Sequence, residues 1–271
     1  MPLTWIRVAA LWGSALLTGP ALAVEYVFSS APRDSALKEE EIYKPLVQLL
    51  SKATGQKFVF RHGDNFLVYP TEMRKGTYDL VFDGPHFVGW RMAKLEHVPL
   101  VKFPGNLVFV VLVKKDNARI NTLKDLAGRT LCSLPSPNLA NVSVTYEFDN
   151  PARQPLTLEV KSFGDAYKGV VSGKCMGGIM QAKLYQELDK EAKAGKVVFT
   201  SQPLPNQAFS AGPRVTPVMR EKITQALLSP EGAVATQKLR EVFKIQNLLP
   251  ANVEEYQGHG KYLRDIWGFD Q

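Results

Sequence analysis

The 271-residue sequence predicts an α/β protein built as two similar lobes. Three observations carry that expectation. Short apolar strands alternate with amphipathic helical stretches, the pattern of parallel pairing with right-handed crossovers. The alternation restarts after an unbroken apolar strand, Leu107 to Val113, too apolar for a surface edge. The chain then crosses back near residues 203–212. Residues 24–109 and 207–271 are therefore expected to form the first lobe and residues 110–206 the second, each a mixed sheet flanked by helices.

The first 23 residues stand apart. Arg7 supplies a positive start, Val8 to Leu17 an apolar core, Gly19-Pro20 a break and Ala21-Leu22-Ala23 a small-x-small cleavage pattern. They read as a signal peptide, with an exported chain starting near Val24. Hydrophobic residues at 45% and charged residues at 22% are ordinary globular values. The net charge of +7 is spread along the chain without interleaved aromatics, which argues against a nucleic-acid partner and is compatible with an anionic ligand. In an oxidising compartment Cys132 and Cys175 form a candidate disulfide, and its closure is worth about 4 kcal/mol in the chain-entropy model. Two free thiols acting as soft ligands are the alternative.

Glu25 to Ser30 reads as the first strand. Glu39, Glu40 and Glu41 sit early in a helix, where negative charge is favourable, and Ile42, Leu46, Leu49, Leu50 and Ala53 follow at helical spacing until Gly55. Pro45 is expected in its first turn or at a kink. Gln56 to Arg61 gives the second strand, and Phe66 to Lys75 a helical piece ended by Gly76. Beyond the crossing, Thr122-x-x-Asp125 resembles a capping box, and Arg129 to Cys132 opens a strand. Leu156, Leu158 and Val160 alternate as a strand, Asp165 to Ser172 is helical, and Lys174 to Met180 is a buried strand. Gln181 to Ala194 is a charged helix closed by Gly195, followed by a strand over Lys196 to Thr200. Thr216-Pro217 and Ser229-Pro230 each start a tail helix as N-cap plus first-turn proline. A last amphipathic piece holds Tyr262, Leu263, Ile266 and Trp267.

The stretch Tyr78-Asp79-Leu80-Val81-Phe82-Asp83-Gly84-Pro85-His86-Phe87 organises the first lobe. A buried strand stops at Asp83-Gly84 and turns directly into a helix whose first position suits proline. Ligands of open α/β sheets gather at the carboxyl ends of strands, and helix starts favour anions.

Four motifs in order now resemble the periplasmic binding proteins of phosphate, phosphite and phosphonate ABC transporters. They are Tyr78 to Pro85, Val113-Lys114-Lys115-Asp116, Leu123-Lys124-Asp125-Leu126-Ala127-Gly128-Arg129-Thr130 and Val170-Val171-Ser172-Gly173-Lys174. The resemblance spans nearly the whole mature chain. It implies the type II periplasmic binding fold, with ligand held between two lobes joined by two crossing strands. It further implies periplasmic location and an inner-membrane ABC permease as partner. A related subgroup serves as sensors beside membrane histidine kinases, which is the alternative role. One turn departs from the family pattern. Where a Ser/Thr-rich turn is usual, Ser133-Leu134-Pro135-Ser136-Pro137-Asn138-Leu139 places two prolines, which remove two backbone donors.

Ligand-binding candidates come from strand ends and helix starts: Ser29, Ser30, Asp83, His86 and Phe87 in the first lobe, and Ser133, Ser136, Asn138, Tyr167 and Gln181 in the second. Phe163 flanks the same loop as Tyr167 and is a further closing residue. The histidines lack metal-ligand spacing, and no cofactor is expected. Phosphate loop, nucleophile elbow and paired catalytic carboxylates are all missing, so an enzyme is not expected. The expected protein is a monomer that captures a small anion.

Overall fold

The computed structural model describes residues 24–269, so the expected signal peptide lies outside the described residues. In chain order the elements are β1 (Glu25–Ser30), α1 (Ala36–Thr54), β2 (Lys57–Phe60), α2 (Val68–Arg74), β3 (Leu80–Asp83), α3 (Pro85–Leu95), β4 (Val98–Lys102), β5 (Asn106–Leu107) and β6 (Phe109–Lys114). Next come β7 (Thr130–Ser133), α4 (Leu139–Thr145), β8 (Leu156–Glu159), α5 (Phe163–Val171), β9 (Gly177–Gln181), α6 (Ala182–Ala192) and β10 (Gly195–Thr200). The return holds β11 (Leu204–Pro205), β12 (Ala208–Ala211), α7 (Pro217–Leu228), α8 (Pro230–Ala235), α9 (Gln237–Phe243), β13 (Leu249–Pro250) and α10 (Val253–Tyr256). A 3-10 turn over His259–Leu263 follows.

Two mixed sheets result. The first runs β13-β4-β12-β3-β1-β2 and the second β10-β6-β9-β7-β8. Strands β2, β1 and β3 are mutually parallel, as are β8, β7 and β9. The chain passes between the sheets at β5 and returns at β11, and these two short strands pair antiparallel. The expected unbroken strand from Leu107 is therefore split at Val108 into a crossing piece and β6.

Alternation along β1 and β3 sends residues to two different cores. Phe28, Leu80 and Phe82 pack with α1 and α7, whereas Val27 and Val81 pack with Tyr69, Phe87 and Trp90 of α2 and α3. The second sheet builds its own core from Val111, Leu131, Val142 and Ile179.

The local signals act much as expected. Gly55 closes α1 with φ +71°, and Thr216 and Ser229 cap α7 and α8 through their hydroxyls. The Thr122/Asp125 capping box forms on a 3-10 turn. Three placements differ. Pro45 lies in mid-helix rather than in the first turn, Lys193 rather than Gly195 ends α6, and Cys175 sits in the turn before β9 instead of on a strand. The last follows from Gly173, whose φ of +76° turns the chain so that Cys175 N–H bonds the Gly169 carbonyl before pairing starts. No described helix is long and apolar enough to cross a membrane.

Candidate binding site between the sheets

A cavity of about 430 Å³ opens where the carboxyl ends of strands from both sheets face one another. The first lobe contributes the loop after β1 (Ala31, Pro32, Arg33), the β3–α3 turn (Gly84, His86, Phe87), Phe66 and Gln207. The second contributes the β7–α4 turn (Leu134, Pro135, Pro137, Asn138, Leu139), Lys161, Phe163 and Gln181, with Leu107 and Phe109 from the crossing. Register explains two of these neighbours. Phe109 pairs with Gln181 across β6 and β9, and Ala208 pairs with Asp83, which sets Gln207 beside Gly84.

Two buried carboxylates fix the first-lobe loop. Asp83 accepts the Ala31 N–H at 3.2 Å, the Tyr69 hydroxyl at 2.8 Å and Arg91 Nε at 3.0 Å. Burial, then the charge of Asp83, pushes the Tyr69 phenol well above its ordinary value, so it remains the donor. Burial pulls the Arg91 guanidinium down, but Tyr69 and Asp83 outweigh it and the net direction is upward. Glu39, the single acid of the α1 start that turns inward, accepts the Arg33 N–H at 2.9 Å and meets His62 Nδ1 at 2.7 Å. Arg33 is further held by packing over the Phe82 and Phe243 rings, at 5.5 and 5.7 Å.

His86 joins the two lobes. Its Nε2 lies 3.0 Å from the Pro137 carbonyl oxygen, an acceptor, so Nε2 carries the proton. Burial pushes the imidazole down to about 3, against the opposing pull of the Pro137 carbonyl, so the ring is neutral. The ring lies close over Gly84, where an added Cβ would come within 2.9 Å of it.

On the second lobe, Asn138 caps α4 by accepting the Ala140 N–H at 3.0 Å. That bond engages its amide oxygen, and Asn138 also lines the cavity. Lys161 precedes Ser162, the N-cap of α5. Behind this wall the Cys132–Cys175 disulfide ties β7 to the turn before β9. It passes so close to α5 that a Cβ on Gly169 would lie 2.6 Å from Cys132 Sγ.

Of the expected site residues, His86, Phe87, Asn138 and Gln181 line the cavity, as does Phe163. The others stand elsewhere. Ser29 donates to the Arg61 carbonyl and Ser30 approaches Glu39, both fully buried. Asp83 lies under the cavity within its ion pair. Ser133 is buried, donates to the Leu134 carbonyl and accepts from Asn141, while Ser136 is exposed on the turn. Tyr167 points to α6, where its hydroxyl donates to Asp189 at 2.7 Å. Arg33, Lys161, Gln207 and Phe66 also line it and carry no motif of their own. Their one legible signal is position, since Arg33 and Lys161 each follow a strand by two or three residues.

The electrostatic outcome is one-signed. Arg33 and Lys161 are the charged residues of the lining, and neither pairs with a carboxylate among the described residues. No His/Cys/Asp/Glu cluster suited to a metal ion occurs among the described residues.

Two α/β lobes, two crossing strands and a cavity between facing strand ends define a two-lobe binding protein. Residues 28–256 match the family described as ABC transporter, phosphonate, periplasmic substrate-binding protein, and the chain belongs to that family. Over 112 residues, 38% of this chain, it is 30% identical to the Phosphate-import protein PhnD of Mycolicibacterium smegmatis. That match spans 35% of the relative, so the chain aligns with about a third of its length. The fold is similar to that of XAC2383 from Xanthomonas citri bound to ATP, with TM-score 0.69, 14% identity, and coverage of 91% of this chain and 99% of that one. It is also similar to PhnD1 from Prochlorococcus marinus in complex with methylphosphonate, with TM-score 0.64, 12% identity, and coverage of 89% and 98%. The family's members are periplasmic substrate-binding proteins of ABC transporters.

Proposed function

We propose that this chain is a periplasmic solute-binding protein that holds an anionic ligand between its lobes and presents it to an inner-membrane ABC permease. The observation that carries the reading is the cavity itself. Strand ends of both sheets converge there, and among the described residues its only lining charges are the cations Arg33 and Lys161, one from each lobe. An anion that engages both favours the closed arrangement over an open one, which is how a ligand shifts such an equilibrium. β5 and β11 serve as the hinge, because they are the two short strands by which the chain passes between the sheets. Family membership favours the permease over a sensor kinase as partner.

Thermal unfolding of the mature chain against inorganic phosphate, methylphosphonate, phenylphosphonate and carboxylates tests the reading. A ligand at a hundredfold its Kd stabilises by about 2.7 kcal/mol, a visible rise in midpoint. Arg33→Gln and Lys161→Gln should each weaken the anion that binds by about 1 to 2 kcal/mol, roughly five- to thirtyfold. A midpoint unmoved by every anion would refute the reading.

A further inference from the structure

The cavity's dimensions and lining specify its occupant further, on the premise that the site binds an anion. We infer that the ligand is an organic anion with an aromatic or bulky apolar body, rather than a bare tetrahedral oxyanion. The first reason is size. At about 430 Å³ the cavity falls in the range of sites for multi-atom organic ligands. A water takes about 30 Å³ of liquid, and a five-atom oxyanion displaces only a few waters.

The second reason is the wall. Phe66 and Phe87 stack on the first lobe with centroids 6.4 Å apart, and Phe109 and Phe163 lie at 6.4 Å on the second. All four line the cavity. Aromatic side chains contributed by both lobes suit a flat apolar body.

The third reason is the scarcity of donors inside. A desolvated oxyanion needs many converging hydrogen-bond donors. Among the described residues no serine, threonine or tyrosine lines the cavity, and the hydroxyls of Ser29 and Ser133 are taken by backbone carbonyls. Pro135 and Pro137 have no N–H to give, and the Ala31 and Arg33 N–H groups already serve Asp83 and Glu39. Besides the His86 and Phe87 N–H groups at the start of α3, the ionic demand therefore falls on Arg33 and Lys161, both exposed, and the rest of the cavity receives the uncharged body. The amides of Asn138, Gln181 and Gln207 remain to fix its orientation.

Calorimetric titration of the mature chain with phenylphosphonate, methylphosphonate, inorganic phosphate and the uncharged analogue benzyl alcohol tests the assignment. Phenylphosphonate should bind at least about tenfold more tightly than methylphosphonate, because burial of the ring adds apolar contact. Phe66→Ala and Phe163→Ala, at partly exposed positions, should remove most of that preference, lowering phenylphosphonate affinity several-fold more than methylphosphonate affinity. Equal or tighter binding of methylphosphonate or phosphate would overturn the organic-body inference and leave the anion-binding reading standing. Benzyl alcohol binding as tightly as phenylphosphonate, or no anion binding at all, would overturn both.

Discussion

Asp83 shows how a residue at a strand end can serve a site without touching its ligand. Its carboxylate sits between Tyr69 and Arg91 and holds the Ala31 N–H, so the loop carrying Arg33 is set by a fully buried ion pair. A buried pair contributes little net stability over an apolar substitute, but removal of one partner strands the other charge. Arg91→Ala should therefore destabilise the chain by about 3 to 5 kcal/mol, read as a lower midpoint in urea. An unchanged midpoint would mean that Asp83 gains its stability from Tyr69 and Ala31 alone. Glu39 shows the same logic from a helix. Its two neighbours, Glu40 and Glu41, stay in solvent, while it turns in to hold the Arg33 backbone.

Among the elements, α3 has two duties. Its start forms the cavity turn, and its outer face takes the C-terminal 3-10 turn at backbone contact. A Cβ on Gly89 would lie 2.6 Å from the Tyr256 carbonyl and 2.8 Å from Gly260 N, and one on Gly260 would lie 2.9 Å from Trp90 Cα. Neither neighbour is a flexible side chain that can move aside. Gly89→Ala should cost about 1 to 3 kcal/mol by thermal or urea unfolding, despite alanine's better helix propensity. A gain in stability would show that the turn can lift away from α3 freely. The turn matters beyond α3, since Tyr262 meets Tyr146 of the second lobe edge-on at 5.2 Å and Ile266 packs against cores of both lobes.

For the molecule as a whole, the histidines set an acid limit. Burial holds His86 at about 3, His97 well below its ordinary value, and His259 below it to a lesser degree. Unfolded imidazoles take up protons near pH 6.5, so below that value the unfolded chain binds more protons than the folded one. The histidine contribution is thus complete above about pH 6.5 and is lost progressively as pH falls toward the folded values. Asp79, raised by burial, works in the opposite sense but only near the carboxylate range. The urea midpoint should be nearly flat from about pH 8 to 7 and fall between about pH 6.5 and 4.5, with a shallower fall in His86→Gln. A flat profile through that window would refute the buried neutral histidines.

Local chemistry was legible in the sequence. The alternation of strands and helices, the proline and hydroxyl caps, Gly55 and the Gly84-Pro85 turn are decided by backbone conformation within a few residues, and the sequence states those preferences directly. The cysteine pair was also readable, because two cysteines in an exported chain leave one pairing. The cavity lining was not. Ser29, Ser30 and Ser133 sit at the expected strand ends, yet strand alternation and neighbouring acceptors turn their hydroxyls inward. Tyr167 is drawn to Asp189 across α5 and α6, while Arg33 and Lys161, 128 positions apart, reach one cavity. Where a side chain points, and which distant residue it meets, depends on the packing of two sheets against their helices and each other. That long-range geometry exists only once the chain has folded.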